Sequence, residues 1–297
     1  MEKRLLGKTG MNVSVLGFGG AEIGFENAEP AAVHRLLSSA LDAGLNVIDT
    51  AECYNTSEEL IGQSVGHRRK DYFLFSKCGH AYGFEQPDWD LGMLAQSIDR
   101  SLVRLRTDRL DLIQLHSCSE AFLKKGDVTG VLLRAKEAGK VRFIGYSGDN
   151  QAAQYAVACG AFDVLQMSIS IADQQGVDSI LPEAQRRGMG IIAKRPIANA
   201  AWKEGRKPSN PYAHCYWDRL QKLQYDFLQR NLSEAVSLAM RFTLGLPGVH
   251  TAIVGTKNPD RWAENVTLLS GPLPPPETAS IRARWKQVAT SDWYGQI

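Results

Sequence analysis

Four side chains that together suit proton transfer lie at or beside the predicted ends of three successive strands. Asp49 ends the apolar run LNVID, Lys77 ends FLFSK and His116 ends LDLIQLH. Tyr54 follows Asp49 by five residues. Because neighbouring parallel strands end at one face of a barrel, we expect an acid, a base, an imidazole and a phenol to face one another.

These residue types suit the reduction of a carbonyl group by hydride, or the reverse reaction. A phenol is a poor acid near neutral pH, but a nearby ammonium favours the phenolate and lowers the pKa of the tyrosine. We expect Lys77 to act in this way on Tyr54, and Asp49 to keep the buried lysine charged. His116 is expected to donate a hydrogen bond to the carbonyl oxygen, where charge develops.

Each of these residues has an ordinary structural interpretation when it is taken alone. Asp49 is then a loop-capping acid, Lys77 an ion-pair partner, His116 a hydrogen-bonded core histidine and Tyr54 a surface aromatic residue. Solvation does not explain four complementary polar groups at neighbouring strand ends, and their burial costs stability. The combination therefore favours a catalytic site.

Eight short apolar runs recur along the chain, with helical patterns between them. Most are continuous in hydrophobicity, which is typical of parallel strands covered on both faces. They begin near residues 13, 45, 72, 109, 143, 163, 190 and 251. Eight strand-and-helix units predict an α/β protein with a closed (β/α)8 TIM barrel and an active site at the carboxyl ends of the strands.

Three segments are expected outside the regular barrel units. They are an N-terminal hairpin, a long loop after the seventh strand at residues 198–231, and a C-terminal helix after Pro274. The loop is rich in aromatic residues, and long loops of this kind are usually functional or disordered. We expect the loop and the tail to cover the barrel mouth, and residues 1–297 to form one domain.

Two helix starts are marked by capping residues. Thr56 with Glu59 has the form of a capping box, in which each side chain bonds the other residue's backbone N–H group. Asn258 precedes Pro259, which suits the first position of a helix.

Charge and cysteine content exclude several classes of protein. The chain has 34 basic and 32 acidic residues and no basic stripe interleaved with aromatic residues, so nucleic acid is not an expected partner. The five cysteines are scattered, which predicts neither a disulfide framework nor a metal site. The sequence shows no apolar segment of membrane-spanning length and no signal-like N-terminus, so we expect a cytoplasmic location without membrane partners.

Several motifs together resemble the aldo-keto reductase superfamily over nearly the whole chain. They are RLLGKTGMNVSVLGFGG, DTAECYNTSEELIG, FSKCG, LIQLHS, IGYSG, VLQMS and IVGTKNPDRWAENV. The resemblance places the family's catalytic tetrad on Asp49, Tyr54, Lys77 and His116, with Tyr54 as the general acid. It implies an NAD(P)-dependent oxidoreductase that reduces a small or sugar-like aldehyde or ketone to the alcohol.

The segment IVGTKNPDRWAEN predicts an anion site, because a strand and a small turn lead into a capped helix start with a positive dipole end. Thr256 offers a hydroxyl, Lys257 a point charge and Arg261 a bidentate fork. This set suits a 2′-phosphate and favours NADP (NADPH) over NAD. The resemblance adds Glu264 and Asn265 at the adenine, and Ser147 and Gln166 at the carboxamide. It adds Asp49, Lys194 and Arg195 at the nicotinamide end, and Gly255 beside the phosphate.

Three positions depart from the family's pattern. Gly148 stands where relatives often have asparagine, after the carboxamide-binding serine. Lys194 stands where an aromatic residue often lies against the nicotinamide, and Gly255 replaces a phosphate-contacting lysine. These departures leave open how the nicotinamide ring is held, and they make Arg261 the main predicted phosphate ligand.

Substrate residues are predicted by position alone. Polar side chains among several aromatic ones suit a hydroxylated or aromatic carbonyl compound, a small molecule in either case. The predicted residues are Glu22, His80, Tyr82, Trp202, Tyr216 and Trp217.

Three alternatives stay open at this point. The same residues with NAD can run in the oxidative direction as a sugar or alcohol dehydrogenase, because one phenol serves as acid in one direction and as base in the other. A protein that keeps the site as a cofactor sensor within another assembly is less favoured. A metal-dependent barrel hydrolase is disfavoured further, since no HxH pair occurs at the strand ends.

Overall fold

In the computed structural model, which describes residues 1–269, 271 and 273–296, eight parallel strands close into a barrel. They are β3 (Leu16–Gly19), β4 (Val47–Asp49), β5 (Phe73–Cys78), β6 (Leu110–His116), β7 (Val141–Ser147), β8 (Val164–Ser168), β9 (Gly190–Lys194) and β10 (Thr251–Val254). Each strand pairs with the next, and β10 pairs with β3. A preceding antiparallel hairpin consists of β1 (Lys3–Leu5) and β2 (Asn12–Ser14). The predicted barrel and hairpin are confirmed.

Helices lie between the strands and cover the barrel from outside. They are α1 (Ala21–Phe25), α2 (Pro30–Asp42), α3 (Ser57–Val65), α4 (Leu91–Arg104), α5 (Glu120–Lys125), α6 (Asp127–Glu137), α7 (Asn150–Ala158), α8 (Gln175–Ser179), α9 (Leu181–Arg186), α10 (His214–Leu223), α11 (Leu232–Gly245), α12 (Pro259–Thr267) and α13 (Pro275–Val288). The segment 198–231 contains α10 and short 3-10 turns, and α13 is the predicted C-terminal helix. No helix in the described part of the chain is long and apolar enough to cross a membrane.

The barrel interior changes from apolar to polar along the strands. Its lower part is one buried apolar cluster, which the hairpin closes from below; its members include Leu6, Met11, Val13, Val47, Phe75, Leu112, Val164 and Ile192. Side chains two residues apart on a strand share a face. The inward positions that follow are therefore polar, and they are Asp49, Lys77, Gln114, Gln166 and Lys194. This alternation places a polar layer at the carboxyl ends of the strands.

A second apolar cluster fills the space between the barrel and its helices. On α2, the residues of one helical face are fully buried in it, including Leu36, Leu37 and Ala40. On α12, Trp262 is 1% exposed, and its ring lies 6.4 Å from that of Phe18 on β3. The burial of Trp262 fixes the helix that follows the last strand against the barrel wall.

Both predicted helix starts are confirmed, since α3 begins after Thr56 and α12 begins after Asn258, but the predicted capping box at Thr56 is wrong. Asn258 Oδ1 accepts a hydrogen bond from the Asp260 N–H group at 3.0 Å, with Pro259 at the first helical position. Thr56 makes no side-chain cap, because its backbone (φ −89°, ψ 4°) continues a turn and is not extended as a capping residue requires. Glu59 instead pairs with Arg104 at 2.8 Å.

Buried charges join α3 and α4 to the strand that carries Lys77. Ser76 donates a 2.7 Å hydrogen bond to Glu58, whose other oxygen lies 3.7 Å from Arg104 Nη1. Arg100 pairs with Glu52, which is as buried as Glu58. Burial raises the pKa of Glu58 to about 7, against the hydrogen bond from Ser76 and the charge of Arg104. The cluster therefore holds a carboxyl group that titrates near neutral pH.

We expect Gly7→Ala to destabilise the protein more than Gly10→Ala does. Both glycines have positive φ (54° and 73°), so each substitution should cost about 1–2 kcal/mol in backbone strain. A Cβ at Gly7 would also lie 2.3 Å from the backbone nitrogen of Gly190, whereas nothing lies within 4 Å of one at Gly10. Overpacking should add about 1–3 kcal/mol at Gly7, measured by urea unfolding. Equal losses for the two variants would contradict this packing of the hairpin under the barrel.

We expect Glu58→Gln to weaken the pH dependence of stability. The pKa of Glu58 is raised from 4.5 to about 7, so the folded state binds the proton more tightly than the unfolded state does. The free energy of unfolding should therefore fall as pH rises from about 4.5 to about 7, by up to about 3 kcal/mol from this group. Asp173, with a pKa also raised to about 7, acts in the same direction and leaves part of the dependence.

Urea unfolding at about pH 5 and about pH 8 measures this effect. Glu59→Gln, on the more exposed side of the same helix, controls for loss of a negative charge. An identical pH dependence in wild type and Glu58→Gln would show that burial at this position does not shift the titration of the carboxyl group.

Candidate active site

A buried ion pair lies at the centre of the polar layer. Lys77 Nζ donates to Asp49 Oδ2 at 2.5 Å and to the Thr50 carbonyl oxygen at 2.8 Å, and both charged side chains are 1% exposed. The other carboxylate oxygen, Oδ1, accepts from Gln166 Nε2 at 2.9 Å and from Gln114 Nε2 at 3.2 Å. These hydrogen bonds offset the cost of burying both charges.

Tyr54 lies in the loop after β4 and faces both Lys77 and His116. Lys77 Nζ is 5.0 Å from the centroid of the Tyr54 ring, and the Tyr54 hydroxyl oxygen is 3.5 Å from His116 Nε2. The loop packs tightly on α1, since a Cβ at Gly24 would lie 2.0 Å from the Tyr54 carbonyl oxygen. The structure thus brings the four predicted catalytic residues together.

The pKa of Tyr54 is raised, not lowered. Burial raises the pKa of the phenol most strongly, and the charge of Lys77 opposes this shift without reversing it. The sequence-based expectation of a net downward shift is therefore wrong, because the phenol is deeper than its position in a loop suggested. At neutral pH the side chain is a protonated phenol.

His116 is a neutral imidazole at this site. Burial lowers its pKa well below the ordinary value, and the charges of Lys77, His80, Lys194 and Arg195 act in the same direction. Its Nδ1 lies 3.4 Å from Cys53 Sγ, and its Nε2 faces the Tyr54 hydroxyl group. A neutral imidazole has one N–H donor, which is what a carbonyl oxygen requires.

The polar layer also includes the amide side chains of Gln114 and Gln166, which contact Asp49, and the hydroxyl group of Ser147. Ser147 donates to Gln166 Oε1 at 3.0 Å. Gln114 Oε1 is buried and has no hydrogen-bond partner among the described residues. A carboxamide N–H group would satisfy this acceptor, so the donors and acceptors here fit the amide of a nicotinamide. Sequence reasoning missed Gln114, although it lies two residues before His116 on the same strand face.

The position of Gly148 explains the missing asparagine. A Cβ at Gly148 would lie 2.3 Å from the Tyr146 hydroxyl oxygen. That hydroxyl group donates to the Cys118 carbonyl oxygen at 2.8 Å, so it is held in place. The tyrosine occupies the space that a side chain at residue 148 would need.

A second charged cluster surrounds the ends of β7, β8 and β9. Lys194 pairs with Asp149 at 2.9 Å, and burial lowers the pKa of the lysine. Arg195 donates to the Ser168 hydroxyl group at 2.5 Å, to the Gln296 carbonyl oxygen at 2.6 Å, and to the hydroxyl group of Tyr212. The 198–231 segment and the C-terminal tail therefore meet at Arg195. Asp149, two residues past a predicted strand end, was missed as a site residue.

The predicted phosphate residues lie around the start of α12, and each already has a partner. Lys257 pairs with Glu26 at 2.7 Å, and Arg261 pairs with Glu264 at 3.1 Å. Thr256 Oγ1 accepts from the Asn258 N–H group. The Asn258 and Asp260 N–H groups are thus bound within the turn and are not free for an anion. The exposed side-chain donors that remain are those of Lys257 and Arg261, while Thr256 is buried.

Glu22 lies closer to this region than to the catalytic residues. Its carboxyl group is next to Gly255, where a Cβ would lie 3.3 Å away. Burial raises the pKa of Glu22, Glu26 raises it further, and Lys203, Lys257 and Arg261 lower it. The structure therefore groups Glu22 with the predicted cofactor residues.

The other predicted substrate residues are scattered. The His80 ring lies 5.1 Å from that of His116, and its Nδ1 contacts Asp88 at 3.0 Å. Tyr82 is 48% exposed, Trp217 is half-buried, and Trp202 and Tyr216 are buried. The Tyr216 hydroxyl group faces Asp173, so this side chain presents no surface to a substrate. His80 is thus the predicted substrate residue with a ring contact to a catalytic candidate.

Aromatic residues outside the predicted substrate set surround the mouth. Phe25, 52% exposed, lies with its ring 5.3 Å from that of Tyr54. Tyr212, 42% exposed, is held by Arg195 and influences the pKa of Tyr54. Trp89 packs 5.7 Å from His80. All three lie in connecting segments or at helix ends, where strand periodicity gives no signal.

Comparison with known proteins agrees with this geometry. Residues 15–286 match the model of the aldo/keto reductase family. L-Galactose dehydrogenase from Arabidopsis thaliana is 28% identical over 287 residues, covering 91% of this chain and 88% of that protein. 6-Dehydroglucose reductase from Novosphingobium aromaticivorans is 32% identical over 155 residues, which cover 48% of this chain and 50% of that protein.

Among solved structures, the holo form of an aldo-keto reductase from Bacillus halodurans has the same architecture. The TM-score is 0.84 at 25% identity, and the match covers 99% of both chains. The eight-stranded barrel, the strand-end residues and the family match over most of the sequence lead to one conclusion: this chain is an oxidoreductase that belongs to the aldo/keto reductase family.

Proposed function

We propose that the protein reduces a small or sugar-like aldehyde or ketone to the alcohol with NADPH, using Tyr54 as the general acid. The observation that carries this proposal is the grouping of Tyr54 with His116 at 3.5 Å and with Lys77 at 5.0 Å from its ring. Lys77 is in turn fixed by Asp49. Acid, polarising donor and charge-stabilising cation therefore surround one position at the mouth.

The proton comes from the hydroxyl group of Tyr54. As the substrate's carbonyl carbon gains hydride, its oxygen becomes an alkoxide, which takes this proton. The phenolate left behind lies near the Lys77 ammonium, whose charge favours the deprotonated form. Lys77 stays protonated, because Asp49 and Tyr54 raise its pKa against the effect of burial.

His116 orients the carbonyl group and stabilises the charge that develops on its oxygen. Its pKa is far below neutrality, so it acts as a hydrogen-bond donor and not as a proton source. Burial and the charge of Lys77 keep it neutral, and the cations Lys194 and Arg195 further disfavour an imidazolium ion. The raised pKa of Tyr54 and the lowered pKa of His116 therefore give the two residues different roles: the phenol donates the proton, and the neutral imidazole donates a hydrogen bond.

The residues around the mouth fit a nicotinamide dinucleotide, which supplies the hydride when bound. Ser147, Gln166 and the unpaired Gln114 oxygen would hold the carboxamide, and Asp49, Lys194 and Arg195 lie at that end. Gly255, Thr256, Lys257 and Arg261 would hold the phosphates, with Glu264 and Asn265 beside the adenine. Arg261 is half exposed, so its pair with Glu264 can exchange for a phosphate at little cost.

The chemistry of the rim supports a hydroxylated substrate. Aromatic faces of Phe25 and Tyr212 and polar groups of His80 and Asp88 surround the catalytic residues. Sugars have apolar ring faces, which can pack on the aromatic side chains, and hydroxyl groups, which can hydrogen-bond to the polar ones. Two relatives carry names that specify sugar substrates, L-galactose dehydrogenase and 6-dehydroglucose reductase.

A second candidate function is oxidation of a sugar alcohol or hemiacetal with NAD, which the dehydrogenase relative favours. In that direction Tyr54 must accept a proton and therefore must first be a phenolate. The raised pKa of Tyr54 makes the phenol the dominant form at neutral pH. The reductive direction is therefore supported at neutral pH, and oxidation should become faster toward higher pH.

We expect Tyr54→Phe to lower kcat for carbonyl reduction by roughly 10²- to 10⁴-fold, because it removes the proton donor and leaves the ring. The loss of absorbance of NADPH with a panel of sugar-like and aromatic aldehydes measures this. Tyr155→Phe, at a half-buried tyrosine on α7 with no assigned role, is the matched control. Wild-type turnover in Tyr54→Phe would show that another group supplies the proton.

We expect Arg261→Ala to weaken NADPH binding about tenfold or more and to leave NADH binding nearly unchanged, since the guanidinium group is assigned to the 2′-phosphate. Titration of each cofactor by protein fluorescence gives the two affinities. Arg186→Ala breaks a similar exposed i, i+3 pair with Glu183 on α9 and serves as the control. An unchanged NADPH affinity in Arg261→Ala would remove the basis for NADP preference.

A further inference from the structure

The residue before Tyr54 contacts the far side of the His116 ring. Cys53 Sγ lies 3.4 Å from His116 Nδ1, while Nε2 of the same ring faces the Tyr54 hydroxyl group at 3.5 Å. Among the described residues, no other hydrogen-bond partner of Nδ1 is found. The thiol and the phenol therefore flank the imidazole from adjacent positions in one loop.

A neutral imidazole carries its hydrogen on one nitrogen, and its partners decide which one. A thiol is a weak donor and a weak acceptor, whereas an unprotonated imidazole nitrogen accepts hydrogen bonds well. A hydrogen bond from the thiol to Nδ1 is therefore stronger than one from Nδ1–H to the sulfur atom. We propose that Cys53 is a positioning residue that selects the Nε2–H tautomer of His116 by donating its thiol hydrogen to Nδ1.

The protonation states of both groups agree with this role. Burial raises the pKa of Cys53 to about 12, and Glu52 raises it further against the effect of Lys77. The pKa of His116 is lowered well below its ordinary value. The pair is thus a thiol and a neutral imidazole, unlike the thiolate and imidazolium pair of a cysteine nucleophile. Cys53 keeps the hydrogen that the bond requires.

The consequence falls on the carbonyl group of the substrate. With Nδ1 occupied as an acceptor, the single N–H group of the ring is at Nε2, on the side of Tyr54 and the mouth. The other tautomer would present a lone pair there and repel the carbonyl oxygen. This role rests on the proposed function, because only a carbonyl substrate needs the Nε2–H donor.

Nitrogen-15 NMR of the full-length protein with labelled histidine tests the proposal without cofactor or turnover. The protonated and unprotonated ring nitrogens of a neutral imidazole give well-separated shifts. His116→Gln assigns the signals by their loss. We expect wild type to show a protonated Nε2 and an unprotonated Nδ1 at neutral pH.

Substitutions at Cys53 should change the tautomer ratio in a graded way. Cys53→Ser keeps a hydroxyl donor and should keep the Nε2–H form. Cys53→Ala removes the donor and should change the ratio about three- to tenfold, the range that one net hydrogen bond gives. Cys159→Ala, which removes an exposed cysteine directly after α7, should leave the ratio as in wild type.

Steady-state kinetics give a second measurement. If Cys53 had only a structural role, kcat would not follow the tautomer ratio across the two variants. Cys53→Ala should lower kcat for carbonyl reduction by no more than about tenfold, and Cys53→Ser should restore it. A wild-type ring protonated at Nδ1, or an unchanged tautomer in Cys53→Ala, would overturn the proposal. Failure of the proposed function is distinguishable, since wild type would then reduce no carbonyl compound whatever the tautomer.

Discussion

The ion pair between Lys77 and Asp49 is the interaction on which the site depends. Both groups lie inside the barrel, where removing one partner would leave an uncompensated charge at a cost of roughly 3–5 kcal/mol. The second oxygen of Asp49 must also be satisfied, which requires Gln114 and Gln166 on two other strands. The polar layer is therefore a connected network in which Asp49 is fully hydrogen-bonded, and it fixes the direction from which Lys77 approaches Tyr54.

The cations around the mouth disfavour any further positive charge at His116. Lys77, Lys194 and Arg195 all lower the pKa of His116, while Asp49 and Asp149 neutralise the lysines locally. An imidazolium ion would add a further cation to this group, whereas an alkoxide on the substrate would be stabilised by it. The same field thus keeps His116 neutral and favours the charge that develops during carbonyl reduction.

The barrel and the three strand-end candidates Asp49, Lys77 and His116 are predictable from strand periodicity, and Tyr54 from its place in the loop directly after β4. Val47 and Asp49, or Phe75 and Lys77, are two residues apart and share the inward face, so polar residues at strand ends must meet at the mouth. The depth of Tyr54 was not predictable, since it depends on how closely α1 and Phe25 pack on its loop. For this reason the direction of its pKa shift was predicted wrongly.

The sequence predicted that the long segment and the tail cover the mouth, but not which of their residues face it, because backbone strain after β9 decides the path of the segment. Arg195, Ala198, Asn199 and Ala200 all have positive φ, which costs non-glycine residues about 1 kcal/mol or more each. A local pattern does not indicate such a turn, and only tertiary contacts can stabilise it. Arg195 supplies these tertiary contacts by hydrogen bonding to Ser168, Tyr212 and Gln296. The strained turn, the 198–231 segment and the C-terminal tail are therefore fixed together over the strand ends. Tyr216, four residues after Tyr212, is buried in the core next to Asp173, whereas Tyr212 lies at the mouth.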